Sequence, residues 1–212
     1  MTGKSGRLAP SPLEPARSRD EETRVSGAPR RALACAAEVL RRGGIVAHPT
    51  EGVYGLGVVP GEARAVARLE RLKARDAGKG FILIGARVEI LAQLTTIDEA
   101  VVATRLSGAD RERATTWVVP AHDAVPEHLI GPGRTVALRL TRHPIARALC
   151  EMLGSALIST SANRTGQPPA RTAPEVEAAF GSSIDFVVRG ACGGEDGPSR
   201  VMELTTGKVL RE

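Results

Sequence analysis

Short apolar segments that alternate with amphipathic helical segments restrict the fold of this chain more than any other feature. The helical pattern RRALACAAEVLRRG is followed by the apolar run GGIVAH, and EARAVARLERLKAR is followed by GFILIG. HPIARALCEML precedes ALISTSAN in the same way, and the joints between segments are about two to six residues long. Alternating strands and helices with short joints build layered α/β domains. The pattern predicts a single twisted α/β domain with a mixed sheet.

Composition limits the partners of such a domain. Hydrophobic residues make up 42% of the 212 residues, enough for a core, whereas aromatic residues make up 2%. So few rings argue against a stacking platform for single-stranded nucleic acid. The net charge of +5 favours anionic partners, either nucleotide phosphates or RNA, although a modest excess is also common where charge serves only solubility.

Cysteines and apolar runs indicate the compartment. Cys35, Cys150 and Cys192 are odd in number and lack metal-ligand spacing, which favours a reducing environment over a disulfide framework. No apolar run approaches the roughly 20 residues of a membrane span, and the N-terminus lacks the apolar centre of a secretory signal. We expect a cytoplasmic protein that does not enter a membrane.

Residues 1–27 differ from the rest of the chain. They contain Pro10, Pro12 and Pro15 among dense mixed charges, without a hydrophobic period. Such a segment buries too little apolar surface to offset the entropy lost on ordering. The sequence therefore predicts a disordered tail over residues 1–27 and one folded domain over residues 28–212.

The segment HPTEGVYGLG interrupts the first apolar strand with polar residues and three glycines. Interpreted as a loop, it places Thr50 and Glu51 at the strand end, while Gly52, Gly55 and Gly57 let a ligand approach the backbone closely. A turn that needs positive φ angles would explain the same glycines. Spacing alone leaves both interpretations open.

Cations cluster at the end of the next helix. In LKARDAGKG, Lys73 and Arg75 lie near the helix end and Lys79 follows past a glycine. The helix dipole would explain one such cation, with a stabilisation of about 0.3–1 kcal/mol. Three cations before a buried strand suit an anionic substrate better, because arginine clamps phosphate or carboxylate and lysine supplies a compact charge.

A third polar cluster is ISTSANRTG. Alternation along a strand sends Ser159, Ser161 and Asn163 to one side, where small polar groups can bind ribose, phosphate or a carboxylate. Capping of the backbone within a turn is an equal alternative. The four histidines form no metal-binding pattern, and no serine or cysteine stands in a nucleophile motif. Cations with small polar groups suit phosphoryl or adenylyl transfer, which depends on positioning and charge stabilisation.

Taken in order, these segments carry a family resemblance. PTEGVYGLG, LKAR, KGFILI, ALRLTRHP, STSANRTGQPP and PSRVMELTTGKVLR resemble the YrdC-like threonylcarbamoyl-AMP synthases in their short form, over roughly residues 30–212. The K-x-R pair of Lys73 and Arg75 and the S-x-N pair of Ser161 and Asn163 are the hallmarks. The resemblance implies one domain of the YrdC/RibB-like type with a large basic concave cavity.

The resemblance also implies a reaction. L-threonine and bicarbonate would form a carbamate that attacks the α-phosphate of ATP, giving threonylcarbamoyl-AMP and pyrophosphate. Mg²⁺ would enter with ATP, so no metal site built by the protein is expected. A separate transferase complex would then pass the threonylcarbamoyl group to tRNA, which the synthase itself would bind only weakly.

Roles for individual residues follow from the resemblance. Lys73 and Arg75 would be the catalytic cations, and Thr50 and Ser159 would face threonine. The remaining matches would bind ATP: Lys79, Thr116, Arg139, Ser161, Asn163, Ser199 and Arg211.

The chain departs from the family pattern at three places. Gly52 stands where many relatives carry threonine or another small residue, and residues 111–114 read Arg-Glu-Arg-Ala in place of Trp-Pro-Gly-Pro. Asp76 replaces a proline, and Ile84 stands where long-form members carry a histidine, which matches the short form. Two alternatives therefore stay open: a noncatalytic RNA-binding or ribosome-maturation factor, and a paralogue that acts on another carbamoyl or acyl adenylate.

Overall fold

The computed structural model describes residues 24–25, 28–74, 80–108 and 113–212. Two predicted site residues, Arg75 and Lys79, and most of the predicted disordered tail lie outside this part of the chain. Within the tail, Arg24–Val25 forms a strand, β1, that pairs antiparallel with Ala28–Pro29, β2.

The helical segments begin and end close to the positions that hydrophobic periodicity predicts. Their bounds are α1 Arg30–Arg41, α2 Ala63–Lys73, α3 Val88–Ala92, α4 Glu99–Gly108, α5 Pro144–Leu153 and α6 Ala173–Phe180. Helix α2 ends after Lys73 because Ala74 adopts a left-handed conformation, with φ of 47°, and its N–H returns to Arg71 O. This end brings Lys73 to the C-terminal end of β8.

Within the described residues, nine strands form one sheet in the order β11-β10-β6-β7-β5-β8-β4-β3-β9. Their bounds are β3 Val46–Pro49, β4 Tyr54–Val58, β5 Ile82–Gly85, β6 Thr115–Pro120, β7 Thr135–Leu140, β8 Leu157–Ser161, β9 Phe186–Val187, β10 Arg200–Glu203 and β11 Val209–Arg211. The pairs β6–β10, β5–β7 and β3–β9 are parallel and the others are antiparallel. The prediction of a single α/β domain with a mixed sheet is confirmed.

The helices cover the two faces of the sheet unequally. Apolar side chains of α2, α3, α4 and α6 pack against one face in a large core. On the other face, α1 and α5 pack on β3, β5 and β8, for example through Leu33 and Leu149 against Val46 and Leu157. Strands β7, β6 and β10 continue this second face beyond the two helices, and their alternate residues line a cavity.

The segment HPTEGVYGLG is not the predicted loop. After a short turn, Tyr54–Val58 forms β4, which is buried along its whole length and pairs with β3 and β8. The positive-φ interpretation of its glycines is wrong, since neither Gly55 nor Gly57 has a positive φ. Instead, a Cβ on Gly55 would lie 2.6 Å from Ser159 Oγ and 3.3 Å from the His48 ring. Glycine is needed because neighbouring side chains occupy the space.

Gly55→Ala should therefore lower the free energy of unfolding by about 1–3 kcal/mol, as overpacked core substitutions do. Chemical denaturation measures this loss. Gly61→Ala is the matched control, because nothing lies within 4 Å of a Cβ added there; it should change stability by less than about 0.5 kcal/mol. Equal stabilities of the two variants would contradict the packing argument.

Candidate active site

The uncovered part of the second sheet face forms a cavity of about 780 Å³. That volume falls within the range of roughly 300–1,000 Å³ that small-molecule sites occupy. The structure brings together at this cavity the following residues that the sequence singled out: Thr50, Lys73, Arg139, Ser159, Ser161, Asn163, Ser199 and Arg211. These residues lie in or next to the turn before β4, α2, β7, β8 and the C-terminal strands. Because the segments are far apart in the sequence, only the folded chain brings the residues together.

Lys73 joins α2 to the loop that follows β8. Its Nζ donates to the carbonyl oxygens of Ser161, at 2.5 Å, and Asn163, at 2.8 Å. In return, Thr165 Oγ1 donates to the backbone carbonyl of Lys73 at 2.6 Å. The side chain is 5% exposed and lines the cavity. A buried ammonium group is therefore held at the cavity wall by neutral oxygen acceptors.

The S-x-N pair combines the two interpretations that the sequence left open. Ser161 Oγ donates to Asn163 Oδ1 at 2.6 Å, and Asn163 Nδ2 donates to the carbonyls of Arg164 and Gln167 at 3.1 and 2.7 Å. These contacts are the predicted capping of a turn. Because both residues also line the cavity, the cap places their remaining polar atoms beside Lys73. Their role in binding ATP stays a prediction.

Arg139 is paired with a carboxylate that sequence reasoning left out of the site. Its Nη2 lies 3.5 Å from Glu51 Oε2, and both side chains are buried. Glu51 Oε1 accepts hydrogen bonds from Thr141 Oγ1 at 2.8 Å and from the Arg142 N–H at 2.9 Å. Burial by itself would raise the pKa of Glu51, but the guanidinium and these donors lower it to about 2. The carboxylate is therefore charged and fixed, while Arg139 reaches the cavity.

Thr116, Ser199 and Arg211 form a hydrogen-bonded row at the C-terminal side. Thr116 Oγ1 and Ser199 Oγ are 2.8 Å apart, and Arg211 Nη2 donates to the Ser199 carbonyl at 2.7 Å. The register of β6 and β7, with Trp117 opposite Leu138, puts Thr116 next to Arg139. Ser199 and Arg211 line the cavity. Thr116 is not among the lining residues and reaches the site only through its hydrogen bond to Ser199.

Thr50 and Ser159 lie at the other side of the cavity. Thr50 Oγ1 donates to Val53 O at 2.7 Å, which leaves the hydroxyl oxygen available as an acceptor. Ser159 lies opposite Gly57 in the β4–β8 pair. Nearby, burial lowers the pKa of His48 to about 4, so that this ring is neutral at pH 7. The environment of Ser159 is thus uncharged on the β3 side.

Two charged residues that line the cavity, Glu203 and Lys208, were not predicted from the sequence. The charged side chains among its described lining residues are Lys73, Arg139, Lys208, Arg211 and Glu203. Arg75 and Lys79 lie outside the described residues, so the overall basic character of the cavity stays a prediction. Glu51 had a detectable signal: it and Arg139 are charged residues next to or within otherwise apolar strand segments.

Two further features bear on cofactors and compartment. Among the residues that the structure describes, no group of three or more His, Cys, Asp or Glu side chains could hold a metal ion. In the same part of the chain, none of the helices has both the length and the apolar character needed to cross a membrane.

Fold and cavity together define an α/β protein with a ligand-sized cavity on one sheet face, and comparisons identify its family. A family model for the Sua5/YciO/YrdC domain, described as "Telomere recombination", matches residues 38–212. The chain belongs to this family, which confirms the resemblance seen in its sequence.

The chain is also similar to named relatives. It is 45% identical to a threonylcarbamoyl-AMP synthase of Nitrosococcus oceani over 83% of this chain and 95% of that protein. A threonylcarbamoyl-AMP synthase of Thiobacillus denitrificans is 47% identical over 81% of this chain and 90% of that protein. The crystal structure of P. abyssi Sua5 complexed with L-threonine superimposes with a TM-score of 0.76 at 33% identity. That match covers 84% of this chain and 53% of Sua5, so the chain spans about half of the Sua5 protein.

The Glu51–Arg139 pair predicts a specific acid dependence. Since the pKa of Glu51 falls from 4.5 to about 2 in the fold, its ionised form stabilises the protein above pH 4.5, and this contribution is lost as the pH falls toward 2. Glu51→Gln should be less stable than the wild type at neutral pH, and this difference should shrink by about 3 kcal/mol between roughly pH 5 and 2. Denaturation at several pH values measures it; a constant difference would contradict the argument.

Proposed function

We propose that this chain is a threonylcarbamoyl-AMP synthase, a nucleotidyltransferase that makes threonylcarbamoyl-AMP and pyrophosphate from L-threonine, bicarbonate and ATP. The observation that carries the proposal is the assembly of eight predicted residues from distant segments around one cavity of about 780 Å³. Relatives at 45–47% identity, which match over most of their own length, bear this enzyme's name. The enzyme class predicted from the sequence is thereby confirmed.

The chemistry requires two anions to react. A threonine-derived carbamate oxygen attacks the α-phosphorus of ATP, the bond from that phosphorus to the bridging oxygen breaks, and pyrophosphate leaves with that oxygen. Positive groups fixed at the site lower the barrier because they do not have to reorganise as charge moves onto the phosphate oxygens. Lys73 meets this requirement, since two carbonyl oxygens hold its ammonium at the wall of the cavity. Arg75 is the second proposed catalytic cation.

The substrates are proposed to lie at opposite sides of the cavity. Thr50 and Ser159 face L-threonine, which the P. abyssi Sua5 crystal structure contains. The proposed contacts of ATP are Lys79, Thr116, Arg139, Ser161, Asn163, Ser199 and Arg211. Mg²⁺ arrives with ATP, and its hard oxygen ligands would come chiefly from the phosphates and water.

The product defines what must follow. Threonylcarbamoyl-AMP is a mixed anhydride, so the next step is acyl transfer; we propose that a separate transferase complex moves the group to tRNA, which this chain itself contacts weakly. We place these steps in the cytoplasm. The free cysteines Cys35, Cys150 and Cys192 are compatible with a reducing compartment.

Pyrophosphate release tests the proposal. Release from ATP should require both L-threonine and bicarbonate, and threonylcarbamoyl-AMP should appear in equal amount. ATP turnover that ignores threonine would indicate a paralogue with another acyl substrate. Tight RNA binding with steep salt dependence, unaffected by threonine and without turnover, would indicate the RNA-binding alternative.

Lys73→Ala should lower kcat about 100-fold or more, because it removes a fixed cation from the reacting phosphates. Lys73→Met, which keeps the buried apolar stem, should lose the same activity and retain more stability. Arg71→Ala is the matched control: it removes a positive charge from an exposed position on the same helix and should stay within about twofold of the wild type. An active Lys73→Met variant would assign Lys73 to structure alone.

A further inference from the structure

The segment 195–200 is attached at both ends to a single residue, Ala114, immediately before β6. The Ala114 N–H donates to the Glu195 carboxylate, at 2.9 Å from each oxygen. The Ala114 carbonyl accepts from the Arg200 N–H at 2.9 Å. Ser199 lies between these attachment points, with its hydroxyl 2.8 Å from Thr116 Oγ1. The position of Ser199 at the cavity therefore depends on how Ala114 is held.

Glu195 also binds the opposite side of the site. Its N–H donates to the Glu51 carbonyl at 3.1 Å, and its own carbonyl accepts from Arg171 Nη2 at 2.9 Å. Just before it, the Gly193 N–H donates to the Thr50 carbonyl at 3.0 Å. One residue thus connects the turn that contains Thr50 with the start of the strand that contains Thr116.

The packing under this segment leaves little freedom. A Cβ on Gly52 would lie 2.0 Å from the Gly197 carbonyl oxygen, so any side chain at residue 52 would push the segment away. Gly193 is similarly close, since a Cβ there would lie 2.9 Å from the Glu51 carbonyl oxygen. Glycine at residue 52 therefore lets the segment lie directly on the turn, where the Glu195 carboxylate reaches Ala114.

We propose that Glu195 is a positioning residue for the adenylation reaction: through Ala114 it sets the place of Ser199 and Thr116 relative to Thr50 across the cavity. The inference rests on the proposed function. Proline, which the family pattern has at residue 114, lacks an N–H and could not make this contact. The alanine and Glu195 form a link that the altered 111–114 block makes possible.

Kinetics of single variants test the link. Glu195→Ala should raise the KM for ATP about tenfold and change kcat by less than about threefold, because uniform binding of the nucleotide weakens while the reacting groups remain. Glu195→Gln should stay within about twofold of the wild type, because its amide oxygen still accepts from Ala114. Asp196→Ala is the charge-matched control, an exposed acid in the same segment, and should resemble the wild type.

A double-mutant cycle separates this link from a general effect on the fold. Ala114→Pro removes the donor and should raise the KM for ATP as much as Glu195→Ala does. The double variant should have about the same KM for ATP as either single variant, because each single variant already lacks the hydrogen bond between Ala114 and Glu195. Additive effects, or an unchanged KM in Glu195→Ala, would overturn the proposal.

Failure of the proposed function would be visible separately. It would appear as a wild-type protein without threonine-dependent pyrophosphate release. Calorimetric titration with ATP would still measure the Kd of each variant. We expect binding about tenfold weaker than in the wild type for Glu195→Ala and for Ala114→Pro. Unchanged ATP binding in both variants would overturn the positioning role by this second measurement.

Discussion

The buried carboxylate of Glu51 connects the segments that surround the cavity. Its Oε2 lies 3.5 Å from Arg139 Nη2, while Oε1 accepts from Thr141 and from the Arg142 N–H. Its backbone carbonyl accepts from the Glu195 N–H. Removing one partner of such a buried pair leaves an uncompensated charge and is strongly destabilising. Replacing both partners with apolar residues would cost far less stability. The Glu51 side chain thus joins β7 to the turn before β4, and the Glu51 backbone joins the same turn to the segment before β10.

The unequal cover of the sheet explains where the site lies. Helices α1 and α5 pack over β3, β5 and β8, and the neighbouring strands β7, β6 and β10 expose the same face to the cavity. Polar residues at alternate positions of these strands, such as Arg139 and Glu203, line the cavity and need no apolar partner there. The rigid sheet consequently presents small polar groups and cations at fixed separations, as a reaction between two anions requires.

The helices and most strands could be predicted because their hydrophobic periods are local properties of the sequence. Strand β4 could not, since Gly55 and Gly57 give no strand signal and are explained only by His48 and Ser159 packing against them. The motifs marked Lys73, Ser161 and Asn163 as candidate site residues, and the structure adds that the Lys73 ammonium contacts the backbone of the other two. Glu51 was noted at the strand end, but its pairing with Arg139 and Thr141 was not predicted, because Thr141 is 90 positions away and no local pattern encodes that contact.

Two of the departures from the family pattern, Gly52 and Ala114, are connected in space although they are distant in sequence. Gly52 makes room for the carbonyl of Gly197, and Ala114 supplies an N–H to Glu195 within the same segment. Each change considered alone removes a side chain or a rigid ring. Together they allow the segment 195–200 to lie on the turn and to attach to β6, which keeps Ser199 beside Thr116. A change at residue 52 should therefore act through Ser199 as well as through the turn itself, since a bulkier residue there displaces the segment that holds both Glu195 and Ser199.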